Sequence, residues 1–384
     1  MINYTYSENQ KKRYDFLVDF AQKELNTNVL ERDKNQIFGK EEWLKCGSEK
    51  LHGMSIPEIY GGLGFNAVDT SIALEALGYG CEDGGLAFSL AAQLLSCTGP
   101  IILHGTNKQK EKYLPLLASG KIIVANAMTE KDTGSDVFNM HTTAQKSDTG
   151  FIVNGEKTYI SNAPNCDSVL LYAATNIEKG FHGGISAFII DSKKNGLTLS
   201  LPIDKMGLRS CMMGTIQFTN LELDTSDLLG KEGAGAMMFS ESMNWERTLL
   251  GALHVGTMKR ILEKSIAYVN SRKIKNESIG KYQANSHRIA EMYVLTETSG
   301  LLVHKAASEI DNKYSAIALS ASATKLHVSE SLNKVCDLAL LIFGGNGYTT
   351  QTSIERYKRD AIAAYIYSGT NDIQKNIISK WLGI

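Results

Sequence analysis

Apolar positions fall into two textures along the chain. Through 1–120 they recur at helical spacing, most clearly in TSIALEALGYG (70–80) and LAFSLAAQLLSCTGPIILHG (86–105), with glycines as punctuation. IPEIYGGLGFN (56–66) reads as a glycine-rich connection between helices. It contains neither G-x-x-x-x-G-K-S/T nor a strand followed by G-x-G-x-x-G, so it is not a phosphate loop. From 121 to 230 the runs become short and β-rich: TAQKSDTGFIVNGEKTYIS, SVLLYAATN, GISAFIID and GTIQFTNLEL, separated by Asp-Thr-Gly and Asn-Gly turns. Helical periodicity then returns from 231 to 384 in segments long enough for a bundle. The pattern predicts an α+β chain. It has an N-terminal all-α domain (1–120), a middle antiparallel β-barrel or sandwich (121–230) and a C-terminal four-helix bundle (231–384).

Composition narrows the function classes. A chain of 384 residues is long for one small core, and a formal charge of −1 lacks the basic excess of a nucleic-acid binder. Cys46, Cys81, Cys97, Cys166, Cys211 and Cys336 form no C-x-x-C pair, which fits free thiols in a reducing cytoplasm. The eight histidines show no metal-ligand spacing, so no metal site is expected. The N-terminal MINYTYSENQKKRYDF has no apolar run behind its charges, and no stretch approaches about 18 consecutive apolar residues. The expectation is a cytoplasmic protein without membrane or nucleic-acid partners.

Four segments carry candidate chemistry. AMTEKDTGSD (127–136) offers hydroxyls at Thr129 and Ser135, with Gly134 admitting a flat ligand; read alone, a polar turn with Asp136 capping a neighbour is the plainer reading. NGEKTYIS (154–161) is a hairpin turn leading to Tyr159 and Ser161, and Tyr159 alone is an ordinary strand aromatic. IFGGNGY (342–348) suits a chain reversal or close packing on a ligand. In MNWERTLLGALHVG (243–256), Glu246, Leu250 and Leu253 share one helix face. A carboxylate on an apolar stripe is costly unless paired or functional, although a first-turn Glu paired with a basic residue is the plainer reading.

In this order and at these separations the segments resemble the acyl-CoA dehydrogenase family of flavoproteins, over nearly the whole chain. Arg272-x6-Ile279-x3-Gln283 and ERYKRDA (355–361) extend the likeness. The resemblance implies a homotetramer with one FAD per subunit. Met128, Thr129, Ser135, Tyr159 and Ser161 are expected at the flavin end. Arg272, Gln283 and Gly345 are expected at the pyrophosphate and adenosine, partly across a subunit interface, while Thr370 and Asp372 close the site. Lys275 and Asn276 stand where the family often has Phe-Gly, and Leu341 where it often has Gln, so the adenosine-side contacts depart from the pattern.

The family reaction removes the proton α to a thioester carbonyl while a hydride leaves the β carbon, which calls for a carboxylate in a dry pocket. Many members carry that carboxylate just before a Gly-Thr pair; here Ser368 precedes Gly369 and Thr370. Other members, isovaleryl-CoA dehydrogenases among them, carry it on the helix directly before an Arg, and Glu246–Arg247 matches. The resemblance therefore implies Glu246 as base, with Trp245, Arg247, Ser368 and Gly369 shaping the pocket and a backbone N–H near Ser368 polarising the thioester carbonyl. SGTNDIQ (368–374) without the Glu, and S-M-x-W-E at 242–246, look like the prolyl carrier-protein dehydrogenases. Three functions follow as alternatives: oxidation of L-prolyl on a carrier protein, oxidation of a short branched acyl-CoA, or a flavin monooxygenase or non-catalytic flavoprotein. The reoxidant is expected to be an electron-transferring flavoprotein or dioxygen.

Overall fold

A computed structural model describes residues 6–384; the first five, which open the N-terminal domain read from sequence, lie outside the described residues. The N-terminal part is helical, with Glu8–Glu24, Ala67–Gly80 and Asn107–Ala118 as its longer members. Ala67–Gly80 packs backbone to backbone on the long helix Gly235–Ser271. A Cβ at Gly78 would fall 2.0 Å from Leu253 O, and one at Gly256 would fall 2.0 Å from Glu75 O. This reciprocal pair of glycines fixes the depth at which the long helix sits.

The apolar run 84–104 is one continuous helical stretch with a π-helical insert, Gln93–Thr98, between Gly84–Ala92 and Gly99–His104. It is long and apolar enough to cross a membrane by length and composition, but 78% of its most apolar window is buried inside the fold. The widened turn rotates Ser96 relative to a regular helix, and such inserts commonly mark functional positions.

The middle part is a single sheet in which Leu197–Leu199, Met213–Asp224, Gly150–Ser161, Thr143–Lys146, Ser168–Ala174, Ile185–Asp191 and Leu228–Leu229 lie side by side. Most neighbours are antiparallel, as the turn residues predict. Val124–Ala127 and Thr143–Lys146, however, both pair parallel with Ser168–Ala174, so the sheet is mixed. A parallel neighbour cannot be reached through a tight turn, and here the 143–161 hairpin forms much of the crossover. Ser168–Ala174 is buried at every position, as suits a strand covered on both faces.

In the C-terminal part, Gly235–Ser271, Gln283–Asp311 and Ile317–Phe343 pack pairwise. The fourth position of the expected bundle is shared by two short helices, Ile354–Ile362 and Asn371–Trp381, both packed on Ile317–Phe343. The corner between those short helices contains Ser368.

Candidate active site

Glu246 lies on the buried face of Gly235–Ser271 together with Leu250 and Leu253, and is 8% exposed. Two hydroxyls from different parts of the chain clasp its carboxylate. Ser96, from the π-helical insert, donates to Oε2, and Ser368, from the C-terminal corner, donates to Oε1. Burial pushes the Glu246 carboxyl above the usual carboxylate range; the hydrogen bonds from Ser368 and Ser96 and the charges of Arg247 and Lys325 oppose that shift. A dry carboxylate with raised proton affinity is suited to take a proton from carbon.

The Ser368 corner is held from three directions. Ser368 and Gly369 are consecutively left-handed, at φ +57° and +84°. The Ser368 carbonyl accepts from Arg247 Nε at 3.0 Å and Gln374 Nε2 at 3.2 Å, and the Gly369 carbonyl accepts from Gln374 Nε2 at 2.8 Å. A Cβ at Gly369 would sit 2.9 Å from that same Gln374 nitrogen. Thr370 caps Asn371–Trp381 by accepting from Ile373 N–H, while Asp372 lies exposed in the first turn. Behind the corner, Lys325 Nζ donates to Asn371 Oδ1 at 2.8 Å. Burial and the neighbouring Arg247 charge bring Lys325 down to about 7. His254, held near 4 by burial, meets Tyr367 OH at 2.5 Å.

Contacts run from this corner to the sheet. Tyr367 packs on Phe88 at 4.8 Å between ring centres; the adjacent Ser89 carbonyl accepts from Asn162 Nδ2 at 3.1 Å, next to Ser161. Met128 and Thr129 are fixed by Lys157, which is fully buried: its Nζ donates to Met128 O at 2.8 Å and to Glu130 Oε1 at 2.9 Å. Glu130 in turn accepts from the backbone N–H groups of His141 and Thr142, and Thr158 N–H donates to Thr129 O at 2.9 Å.

That Thr158–Thr129 bond lies just before a bulge in the pairing of Gly150–Ser161 with Met213–Asp224. At the bulge Tyr159 turns left-handed (φ +58°) and leaves its ring 56% exposed, so it is not an ordinary strand aromatic. An exposed ring beside the half-exposed hydroxyls of Thr129 and Ser161, with the buried Thr133 hydroxyl left without a partner, fits a flat ligand that is apolar at one end and hydrogen-bonding at the other. That is the character of a flavin ring. Ser135 and Gly134 are exposed in the same loop, and a Cβ at Gly134 would meet nothing.

Arg272, Gln283 and Gly345 gather elsewhere. Arg272 follows the long helix, its carbonyl accepting from Ile279 N–H at 2.9 Å; Tyr268 OH accepts from Asn346 Nδ2 at 3.0 Å and ties the Gly345 turn to the same end. All three residues are exposed. Glu246 and Ser271 are separated by about 38 Å of helix at ~1.5 Å per residue. Glu246 and Arg272 of one chain therefore stand far apart. Lys275 and Asn276 are both left-handed at the tip of a hairpin joining Lys273–Ile274 to Glu277–Ser278, a conformation that Asn tolerates well.

Sequence families divide the chain in the same order as these structural parts. The N-terminal, middle and C-terminal domains of acyl-CoA dehydrogenases match residues 7–121, 125–221 and 233–383. The chain belongs to the acyl-CoA dehydrogenase family. An L-prolyl-(peptidyl-carrier protein) dehydrogenase of Serratia sp. is 37% identical over 383 residues, covering 100% of this chain and 99% of the relative. An isovaleryl-CoA dehydrogenase of Arabidopsis thaliana is 33% identical, covering 94% of this chain and 88% of the relative. Among solved structures, the prolyl acyl carrier protein oxidase AnaB superposes with a TM-score of 0.97 at 39% identity, covering 99% of this chain and 100% of AnaB. PigA with FAD and proline superposes with a TM-score of 0.96 at 36% identity, covering 100% and 99%.

Sequence reasoning missed two parts of the site. Ser96 sits in an apolar helical run, where a serine gives no signal; only the π-helical turn brings it to Glu246. Lys157 follows an Asn-Gly pair that reads as a hairpin turn and so reads as a solvated residue. The pair is instead a bulge inside the strand Gly150–Ser161, and Lys157 is the buried partner that fixes the Met128–Thr129 backbone.

Proposed function

We propose that this chain is an FAD-dependent dehydrogenase that oxidises an L-prolyl thioester carried on a peptidyl or acyl carrier protein, with Glu246 as its base. The observation that carries the reading is the buried Glu246 carboxylate, clasped by Ser96 and by the Ser368 that occupies the family's alternative base position. The family assignment and the likeness to prolyl carrier-protein enzymes supply the substrate class. Met128, Thr129, Ser135, Tyr159 and Ser161 would hold the flavin end of FAD, and Arg272, Gln283 and Gly345 of a neighbouring copy its adenosine end. Bound FAD supplies the acceptor for the hydride that leaves the β carbon. Glu246 takes the α proton, the Ser368 corner seats the thioester carbonyl, and the packed apolar walls exclude water. Thr370 and Asp372 close that corner. A homotetramer of the cytoplasm, reoxidised by an electron-transferring flavoprotein or by dioxygen, completes the reading.

The same base serves a second reading, a short branched acyl-CoA, which the isovaleryl-CoA relative supports. Anaerobic loss of the oxidised flavin's visible absorbance separates the two. Prolyl carrier protein is expected to bleach wild-type enzyme, and Glu246→Gln is expected to slow bleaching by on the order of 10²–10⁴-fold. Bleaching by isovaleryl-CoA alone would move the substrate to the second reading. Silence from both thioesters would leave a flavin monooxygenase or a non-catalytic flavoprotein.

A further inference from the structure

We infer that Ser96 determines specificity by accepting a hydrogen bond from the ring nitrogen of the prolyl group, so that the site takes an α-amino acyl thioester in preference to a plain one. The inference rests on the proposed function and names the group that tells its substrate from an ordinary acyl chain.

A base that removes the α proton must place a carboxylate oxygen within contact distance of the α carbon. The ring nitrogen of a prolyl group is bonded directly to that carbon. A hydroxyl hydrogen-bonded to the carboxylate on the side that faces this nitrogen is therefore within reach of it. Two hydroxyls bond the carboxylate, Ser96 at Oε2 and Ser368 at Oε1. The Ser368 corner is assigned to the thioester carbonyl, which leaves the nitrogen to the Ser96 side.

The two basic side chains near Glu246 do not compete for that N–H. Arg247 donates to the Ser368 carbonyl, and Lys325 donates to Asn371 Oδ1 and to the Tyr365 carbonyl. Arg247 is a donor without a lone pair, and the Lys325 nitrogen is turned to Asn371 and Tyr365 rather than to the carboxylate. Ser96 is 3% exposed, donates its one proton to Glu246 and keeps lone pairs to accept another. It can thus accept from the substrate N–H and donate to the base simultaneously. A plain acyl chain presents only C–H there and leaves the hydroxyl without a second partner, an arrangement that disfavours it.

The test compares prolyl carrier protein with the same carrier loaded with cyclopentanecarbonyl, a carbocycle of matching shape that lacks the N–H. Wild-type enzyme is expected to favour the prolyl substrate in kcat/KM by on the order of 10–100-fold. Ser96→Ala is expected to lower the prolyl value at least tenfold more than the carbocyclic value, bringing the ratio toward one. Ser96→Cys keeps the volume and weakens the acceptor, and is expected to fall between them; it also serves if Ser96→Ala does not fold, as judged by FAD content and thermal unfolding. Equal slowing of both substrates, with the same displacement of both pH profiles, would reduce Ser96 to a positioning residue for Glu246 and overturn the inference. A wild-type enzyme that bleaches equally with both thioesters would also overturn it while leaving the proposed function intact. A wild type silent toward both would instead remove the reading on which the inference rests.

Discussion

At the scale of single residues, the sign of the electrostatics around Glu246 leads to a pH prediction. In the proposed reaction Glu246 acts only when ionised, so kcat/KM should rise with pH along an acid limb set by its carboxyl. Burial raises that carboxyl, and the hydrogen bond from Ser368 is the largest influence pulling it back. Ser368→Ala removes one donor from the ionised form, so the acid limb is expected to move to higher pH while the alkaline plateau keeps measurable activity. An acid limb that stays in place would mean that Ser368 does not touch the base in the working enzyme. Total loss of activity at every pH would mean that it does more than tune the base. The left-handed backbone at Ser368 and Gly369 adds a second constraint, because a side chain at Gly369 would be strained at φ +84° and would crowd Gln374 Nε2.

At the scale of elements, the buried pair Lys157–Glu130 joins the hairpin strand to the Met128–Thr129 backbone. Its burial makes it a structural support for the proposed flavin end. Burial lowers Lys157 to about 8, and the Glu130 charge opposes that shift and favours the charged form. Lys157→Met leaves Glu130 buried without its cation and is expected to cost about 3–5 kcal/mol of stability, read by thermal unfolding. FAD affinity, measured by titrating stripped protein, is expected to fall as well; unchanged affinity in a destabilised variant would show that the pair does not set the flavin corner. How much was legible in the sequence can be judged from such elements. The helix–β–helix order, the Asp-Thr-Gly hairpin turn and the carboxylate on its apolar stripe follow from local periodicity and turn chemistry. Asn154-Gly155, by contrast, reads as a hairpin turn but lies at a bulge inside the strand Gly150–Ser161. The parallel pairing of Val124–Ala127 does not, because four residues carry no mark of the direction of a partner more than forty positions away. Ser96 was hidden for a similar reason: a helical wheel of regular period does not contain the π-helical turn that aims it. Tyr159 read as a plain strand aromatic until the bulge turned its backbone left-handed.

At the scale of the whole molecule, the long helix acts as a spacer, and its length decides how a complete site is assembled. About 38 Å of helix separates Glu246 from Ser271, at ~1.5 Å per residue, so in the proposed reading Glu246 and the exposed Arg272 of one chain are too far apart to serve the same FAD. In the proposed assembly each FAD meets Glu246 from one copy and Arg272 from another. That arrangement makes a result possible which no isolated subunit gives. In that assembly Glu246→Gln is expected to remove the base, and Arg272→Ala to weaken FAD binding while changing only an exposed position of the subunit. Each variant alone is expected to be inactive at limiting FAD. Co-expressed, the two kinds of subunit form mixed assemblies, in which some sites combine Glu246 from the Arg272→Ala copy with Arg272 from the Glu246→Gln copy. Those sites are wild type in composition, so prolyl-dependent flavin bleaching should reappear in the purified mixture. If both residues served one FAD within one chain, every site in the mixture would carry one of the two defects and activity would stay absent. Separate tags on the two variants, with tandem purification, ensure that only mixed assemblies are assayed, so continued silence from such a preparation would reject assembly of the site across subunits.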